Sequence, residues 1–222
     1  MDWDPVTHYK DVAIAERYDQ ERFSSVPGRV FNALEKFHIR RAFRSVPRNA
    51  VVMDLPCGTG RFAEVLLDEG FNVVGVDISP AMLEVARRKV SRFSERFQTL
   101  VADVRELALN TPKQYDVALC ARVLMHFPLA EQVTFLKSVA MLTRGAVVFS
   151  QSLDTPYHRL RRRIKRAFGD RSIPARHPIS EGELKELLAG AGLCEVRRIR
   201  PFPMITEAIY VIAEHRPESA SS

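Results

Sequence analysis

Short apolar runs alternate with longer amphipathic stretches through most of the chain. Ala50-Val51-Val52-Met53 is apolar and closes on Asp54; after a turn, 61–69 has helical spacing and stops at Gly70. Asn72-Val73-Val74-Gly75-Val76 repeats the pattern and closes on Asp77. Ser79 then offers a capping hydroxyl, Pro80 suits the first helical position, and Met82, Leu83, Val85 and Ala86 continue a helix. Further strands are predicted over 97–102, 115–121 and 145–150, with a helix over 129–142 before the last. Ser180 and Glu183 have capping-box spacing at the start of a helix over 180–191, which Gly192 ends. Segments 193–200 and 208–214 read as strands close enough to pair antiparallel. Short, almost continuously apolar strands separated by helices predict an α/β fold: a seven-stranded, mostly parallel sheet with helices on both faces and an antiparallel last pair.

Two regions fall outside this alternation. Residues 5–45 read as helical, with Val12, Ala13, Ala15 and Tyr18 at helical spacing, then Phe31, Leu34, Phe37 and Ala42 after a break at Pro27-Gly28. We expect an N-terminal helical cap over 1–45, a domain over 46–216, and a polar, disordered tail over 217–222. Within the domain, 154–178 is an insertion after the fifth strand. Tyr157, Leu160, Ile164 and Phe168 make an apolar stripe there at spacings of 3, 4 and 4, with basic residues on the other faces and Gly169 as a stop.

Charge sharpens the reading of that insertion. The chain has 222 residues and a formal net charge of +6. Residues 154–176 hold eight basic side chains and two acids, so they carry the whole excess and the remainder is neutral. A surface that tracks nucleic acid along its whole length is disfavoured, and one local basic segment is indicated. With 46% hydrophobic and 27% charged residues, the rest can build an ordinary core. Cys57, Cys120 and Cys194 are odd in number and far apart, which suits a reducing compartment, and no Cys/His cluster suggests a metal. Neither a secretory signal nor an apolar run of spanning length is visible, so a cytoplasmic protein is expected, with peripheral contact at the inner membrane face through 156–168.

Candidate chemistry lies at the strand ends. Ligands of open parallel sheets bind beyond the carboxyl ends of the strands, where strand order reverses. Three consecutive strands end at Asp54, Asp77 and Asp103, and the first leads into Leu55-Pro56-Cys57-Gly58-Thr59-Gly60. Glycines there allow close approach of a ligand to the backbone. Asp77 is placed to accept bonds from both hydroxyls of an adenosine ribose, and Asp103 can reach an adenine amino group. Each acid could instead merely cap the helix or turn that follows it.

Over roughly residues 45–215 the chain resembles the Rossmann-like (class I) S-adenosylmethionine-dependent methyltransferases. The segments that carry the resemblance are 51–60, Val76-Asp77-Ile78-Ser79-Pro80-Ala81-Met82-Leu83, Ala102-Asp103-Val104, and Tyr115-Asp116-Val117 leading to Val123-Leu124-Met125-His126-Phe127. The resemblance implies S-adenosyl-L-methionine as cofactor, with the loop around its methionine part, Asp77 on the ribose and Asp103-Val104 at the adenine. The implied cofactor contacts are Tyr18, Arg22, Asp54, Pro56, Cys57, Gly58, Thr59, Gly60, Asp77, Ile78, Met82, Asp103, Val104, Ala121 and Arg122. Pro56 stands where such loops usually open with glycine, and a stiffer loop is expected. A nicotinamide dehydrogenase is the nearest rival, because Gly58–Ala63 fits G-x-G-x-x-A; Asp54 opposes it, since an acid there would repel a pyrophosphate and suits a cationic cofactor.

Acceptor-side candidates are fewer. Arg122 and His126 should face the cleft, and His126 is the candidate general base, with packing beside Met125 and Phe127 as the alternative. Tyr18 and Arg22, four residues apart on one helical face, could lie along the cofactor and pair with its carboxylate. Cys57 reads as a small buried residue rather than a nucleophile. Tyr9, His126, Tyr157 and Arg161 are the expected substrate contacts. The basic helix is expected to form a lid; it could bind an anionic membrane, gate an anionic substrate, bind RNA, or be a solvated surface helix. The expected activity is methyl transfer to a small or lipid-like, anionic acceptor at or near a membrane. RNA methylation and a non-catalytic cofactor-binding scaffold are the alternatives.

Overall fold

The computed structural model describes residues 15, 16, 21, 23–167, 177–201 and 206–217, leaving aside the side chains of 162, 165 and 166. Seven strands form one sheet: β1 (Val51–Asp54), β2 (Asn72–Asp77), β3 (Phe97–Val101), β4 (Val117–Cys120), β5 (Val147–Ser152), β6 (Leu193–Ile199) and β7 (Ala208–His215). Their order is β3-β2-β1-β4-β5-β7-β6. β1 to β5 run parallel, and β7 runs antiparallel between β5 and β6. The order turns back between β1 and β4, which creates a crevice at their carboxyl ends.

The α-helices whose bounds lie among the described residues are α1 (Val26–Ala42), α2 (Arg61–Asp68), α3 (Pro80–Lys89), α4 (Val104–Asn110), α5 (Leu129–Leu142), α6 (Pro156–Ala167) and α7 (Glu181–Gly190). The central strands are apolar on both sides because both faces are covered. Val117 and Leu119 of β4 pack in the cluster with α1, α2 and α3, through Ile39, Leu66 and Leu83. Ala118 and Cys120 pack in the opposite cluster with α5 and α7, through Leu136, Val139 and Leu187. Local sequence sets the helix starts. Ser79 caps α3 with its hydroxyl on the Met82 amide at 3.2 Å, and Ser180 and Glu183 close the capping box of α7.

The break expected at Pro27-Gly28 falls just ahead of it, at Ser24-Ser25: α1 begins at Val26, Ser25 caps it by accepting from the Gly28 amide at 3.2 Å, and Pro27 sits in the first turn, where a missing N–H costs nothing. Its buried face is Glu35, His38, Ile39 and Ala42, whereas Phe31 and Phe37 are exposed. Polar residues occupy the inner face because they meet buried partners on the sheet side. The fourth strand is shorter than predicted, Tyr115 joining only through an isolated bridge to Thr143.

The insertion leaves and re-enters the domain at one point. Leu153 bridges Ile179 in parallel, the Asp154 amide donates to Ile179 O at 2.8 Å, and the Ile179 amide donates to Ser152 O at 3.0 Å. The His177 amide donates to Met125 O at 2.8 Å, which ties the returning chain to the segment after β4. α6 matches the predicted amphipathic helix, but Tyr157, Leu160 and Ile164 face outward rather than packing on the domain. Phe168 and Gly169 lie outside the described residues, as does most of the predicted tail.

Candidate active site

The loop after β1 is fixed by backbone bonds to both neighbouring strands. The Leu55 amide donates to Leu119 O at 2.8 Å, and the Cys57 amide donates to Val76 O at 2.9 Å. The Gly58 amide donates to Asp77 Oδ2 at 2.8 Å, while Asp77 Oδ1 accepts from the Ser79 amide at 3.0 Å. Gly58 (φ 54°) and Gly60 (φ 73°) both adopt left-handed conformations that favour glycine. At Gly58 a Cβ would meet nothing within 4 Å, so its face toward the cleft is open. At Gly60 a Cβ would stand 2.9 Å from Ala86 Cβ, so this glycine serves the contact of α2 with α3.

Beyond this loop lies a cleft of about 190 Å³ at the β1/β4 switch point. It brings together Pro56, Cys57, Gly58, Thr59, Asp77, Ile78, Met82, Asp103, Val104, Ala121, Arg122 and His126, all named from sequence. Arg61, Phe62, Arg105 and Phe135 also line it without being candidates from sequence, as does Phe127, expected there only as a packing neighbour of His126. Asp54 and Gly60 are not among the lining residues. Asp54 is 1% exposed, and burial pushes its carboxyl well above the usual carboxylate range despite the attraction of Arg61. Tyr9, Tyr18 and Arg22 lie outside the described residues, and Tyr157 and Arg161 sit on α6 away from the lining.

The three remaining sequence expectations resolve differently. Asp77 is largely buried; desolvation raises its carboxyl, opposed by the amides of Ser79, Gly58 and Ile78. Asp103 caps α4 by accepting from the Arg105 amide at 2.9 Å and pairs with the Arg105 guanidinium, which holds its carboxyl below the usual range. Burial first, then the nearby Asp54 and Asp77, pushes the Cys57 thiol well up, so the loop cysteine is not a thiolate nucleophile.

One buried carboxylate of α1 ties the cleft walls together. Glu35 accepts from Arg61 on Oε2 and from Arg122 on Oε1, each at 2.8 Å. Arg61 also donates to Asn32 Oδ1 at 2.8 Å and stacks on Phe62 and Phe23 at 4.0 and 4.8 Å. Arg122 has a left-handed backbone (φ 63°) whose amide donates to Ser150 Oγ at 2.7 Å. Its guanidinium is thus turned toward α1, not simply out into the cleft. Glu35 escaped the sequence reading because an acid on a helix gains meaning only from partners 26 and 87 residues away. His126 ends the short 3-10 turn Leu124–His126, held by its amide on Val123 O at 3.0 Å.

A strand-order switch with a glycine loop and an acid on the neighbouring strand defines a nucleoside-cofactor fold. Residues 52–145 match the family model described as Methyltransferase domain. A ubiquinone biosynthesis O-methyltransferase of Aeromonas salmonicida is 32% identical over 104 residues, 46% of this chain and 43% of that protein. One of Nitrosospira multiformis is 27% identical over 150 residues, 67% of this chain and 54% of that protein. The chain thus aligns with about half the length of these curated relatives. A magnesium protoporphyrin IX methyltransferase from Synechocystis PCC 6803 with bound SAH shares the fold with a TM-score of 0.74 at 16% identity, covering 95% of this chain and 97% of that one. Over residues 52–145 the chain is thus similar to a methyltransferase family, and it shares the Rossmann-like fold of the SAH-bound Synechocystis enzyme; the cofactor of such methyltransferases is S-adenosyl-L-methionine.

The cleft fits that cofactor. The open face of Gly58 admits a ligand against the backbone, Asp77 presents a carboxylate fixed by two amides, and Ile78, Met82 and Val104 offer an apolar wall.

Proposed function

We propose that this chain transfers a methyl group from S-adenosyl-L-methionine to an oxygen of a small or lipid-like anionic acceptor met at a membrane surface. The observation that carries the transferase reading is the Gly58 amide to Asp77 bond at the mouth of the β1/β4 cleft. In this reading Asp77 accepts the ribose hydroxyls, the open backbone at Gly58 lies along the methionine part, and Ile78, Met82 and Val104 cover the adenine beside Asp103. Bound there, the cofactor supplies an electrophilic methyl on a sulfonium.

The residues of the chain then have positioning work to do. Phe127 and Phe135 supply an apolar wall that excludes water from the acceptor side of the cleft. His126, also on the lining, is the group that takes the proton of a hydroxyl acceptor onto its imidazole. The oxygen assignment and the small acceptor draw on the curated relatives above, named ubiquinone biosynthesis O-methyltransferases. The membrane part draws on α6, with Tyr157, Leu160 and Ile164 exposed beside Arg159 and Arg163. No helix among the described residues is long and apolar enough to cross a membrane, so contact would be peripheral.

The test is incubation of the protein with isotopically labelled S-adenosylmethionine and fractionated cell extract, followed by mass spectrometry. Label in an organic-soluble, anionic product supports the proposal. Label in RNA or protein alone replaces the acceptor class.

A further inference from the structure

α1 has two faces of opposite character. Its inner face is buried through Glu35, His38, Ile39 and Ala42. At spacings of 4, 3 and 4 on the far side stand Val26, Val30, Ala33 and Phe37, an apolar stripe turned to solvent. Val26, Val30 and Phe37 are 63%, 54% and 56% exposed, uncovered by the described residues. Arg29, Arg40 and Arg41, all exposed, flank the stripe. The one acid within Val26–Ala42 is Glu35, and it is buried. The outer surface of α1 is therefore apolar with arginines at its rim, of which Arg40 pairs with Glu69 at 3.3 Å while Arg29 and Arg41 remain exposed.

Its location is equally specific. Asn32 and Glu35 bond to Arg61, the Phe31 ring lies under Arg122 at 5.4 Å, and both arginines line the cleft. The amino-terminal half of α1 thus stands beside the cleft at the carboxyl edge of the sheet. α6 leaves that same edge after β5 and shows the same chemistry, with Leu160 and Ile164 58% and 49% exposed.

We infer that the outer face of α1 is a second membrane contact, which docks the cleft against an anionic lipid surface. This rests on the membrane reading of α6 and adds a separate surface to it. Charge complementarity selects the occupant. Phosphate headgroups satisfy the arginine rim while the acyl boundary takes the stripe. Pairing of α1 with α1 of a second copy would set arginine rows against each other. RNA would satisfy the arginines and leave Val30 and Phe37 without an apolar partner. With the α1 contact beside the cleft, an amphiphilic acceptor can enter directly from the bilayer.

The test is co-sedimentation of the full chain with phosphatidylcholine vesicles, with and without phosphatidylglycerol. Val30→Gln/Phe37→Gln on α1 is compared with Leu160→Gln/Ile164→Gln on α6, and S-adenosylmethionine affinity serves as the folding control. Each pair should weaken binding to the anionic vesicles about tenfold, and the two together more than either. If the α1 pair binds as tightly as the parent while the α6 pair does not, the α1 contact is wrong and the membrane reading stands. If the parent ignores anionic vesicles, both fail. Loss of a dimer on Phe37→Gln in sedimentation velocity would assign the stripe to a second copy and overturn the inference, as would α1-dependent RNA binding insensitive to Val30→Gln/Phe37→Gln.

Discussion

Asp77 and Gly58 are joined across two strands: the amide of Gly58, in the turn after β1, donates to the carboxylate that ends β2 at 2.8 Å. The bond sets the loop beside the acid, so one side chain shapes the cleft and presents charge to it. Asp77→Ala removes this bond and the acceptor for a ribose. A charge-assisted bond contributes about 1.5–3 kcal/mol, so calorimetry should show S-adenosylmethionine binding about 10- to 150-fold more weakly. Unchanged affinity would remove Asp77 from the cofactor site.

Glu35 stands between the Arg61 and Arg122 guanidiniums, with side-chain exposures of 7%, 11% and 18%. Glu35→Gln leaves two largely buried cations sharing a neutral amide. Breaking a buried pair from one side costs about 3–5 kcal/mol, which urea denaturation would register as a lower midpoint. A cost below about 1 kcal/mol would mean that water already screens the cluster.

Both glycines of the loop resist substitution, for different reasons. Gly58→Ala has space but inherits a left-handed backbone, and should cost about 1 kcal/mol. Gly60→Ala adds a contact of 2.9 Å with Ala86 Cβ to similar strain, and should cost about 2–3 kcal/mol. Thermal unfolding of the two variants should keep this order.

His38 gives stability a pH dependence. Its ring stacks on Tyr210 at 5.9 Å, both ring nitrogens are buried without partners, and burial, then Arg41, hold its pKa below the ordinary 6.5. The unfolded chain therefore binds the proton more readily. The contribution of His38 to stability is fully present above pH 6.5 and is lost as pH falls from there toward the lower folded value. His38→Phe should flatten that part of a melting-temperature profile, and an unchanged slope would assign it to other groups. Asp103, held low by Arg105, adds its own loss only at more acidic pH.

His126→Ala should reduce turnover by about 10²–10⁴ while leaving cofactor affinity near the parent value, as loss of a general base requires. Equal turnover would reduce the residue to packing beside Phe127.

Legibility in the sequence followed the range of the interaction. The strand acids, the glycine turn and the caps at Ser79 and Ser180 depend on neighbours a few residues away, and the structure places each as the spacing implies. On α1 the spacing of Phe31, Leu34, Phe37 and Ala42 marks a helix but not its inner face, which is chosen by Glu35 through Arg61 and Arg122 and by His38 through Tyr210. Asp54 shows a related limit. Its place at a strand end is readable, but its burial and its raised pKa depend on packing across the sheet.

The most direct measurement is S-adenosylhomocysteine formed when the protein, S-adenosylmethionine and a membrane-lipid extract are combined. Methyl transfer predicts formation that depends on both protein and extract and falls in Asp77→Ala. Cofactor binding by calorimetry with no S-adenosylhomocysteine above the protein-free level, in any extract fraction, would contradict it.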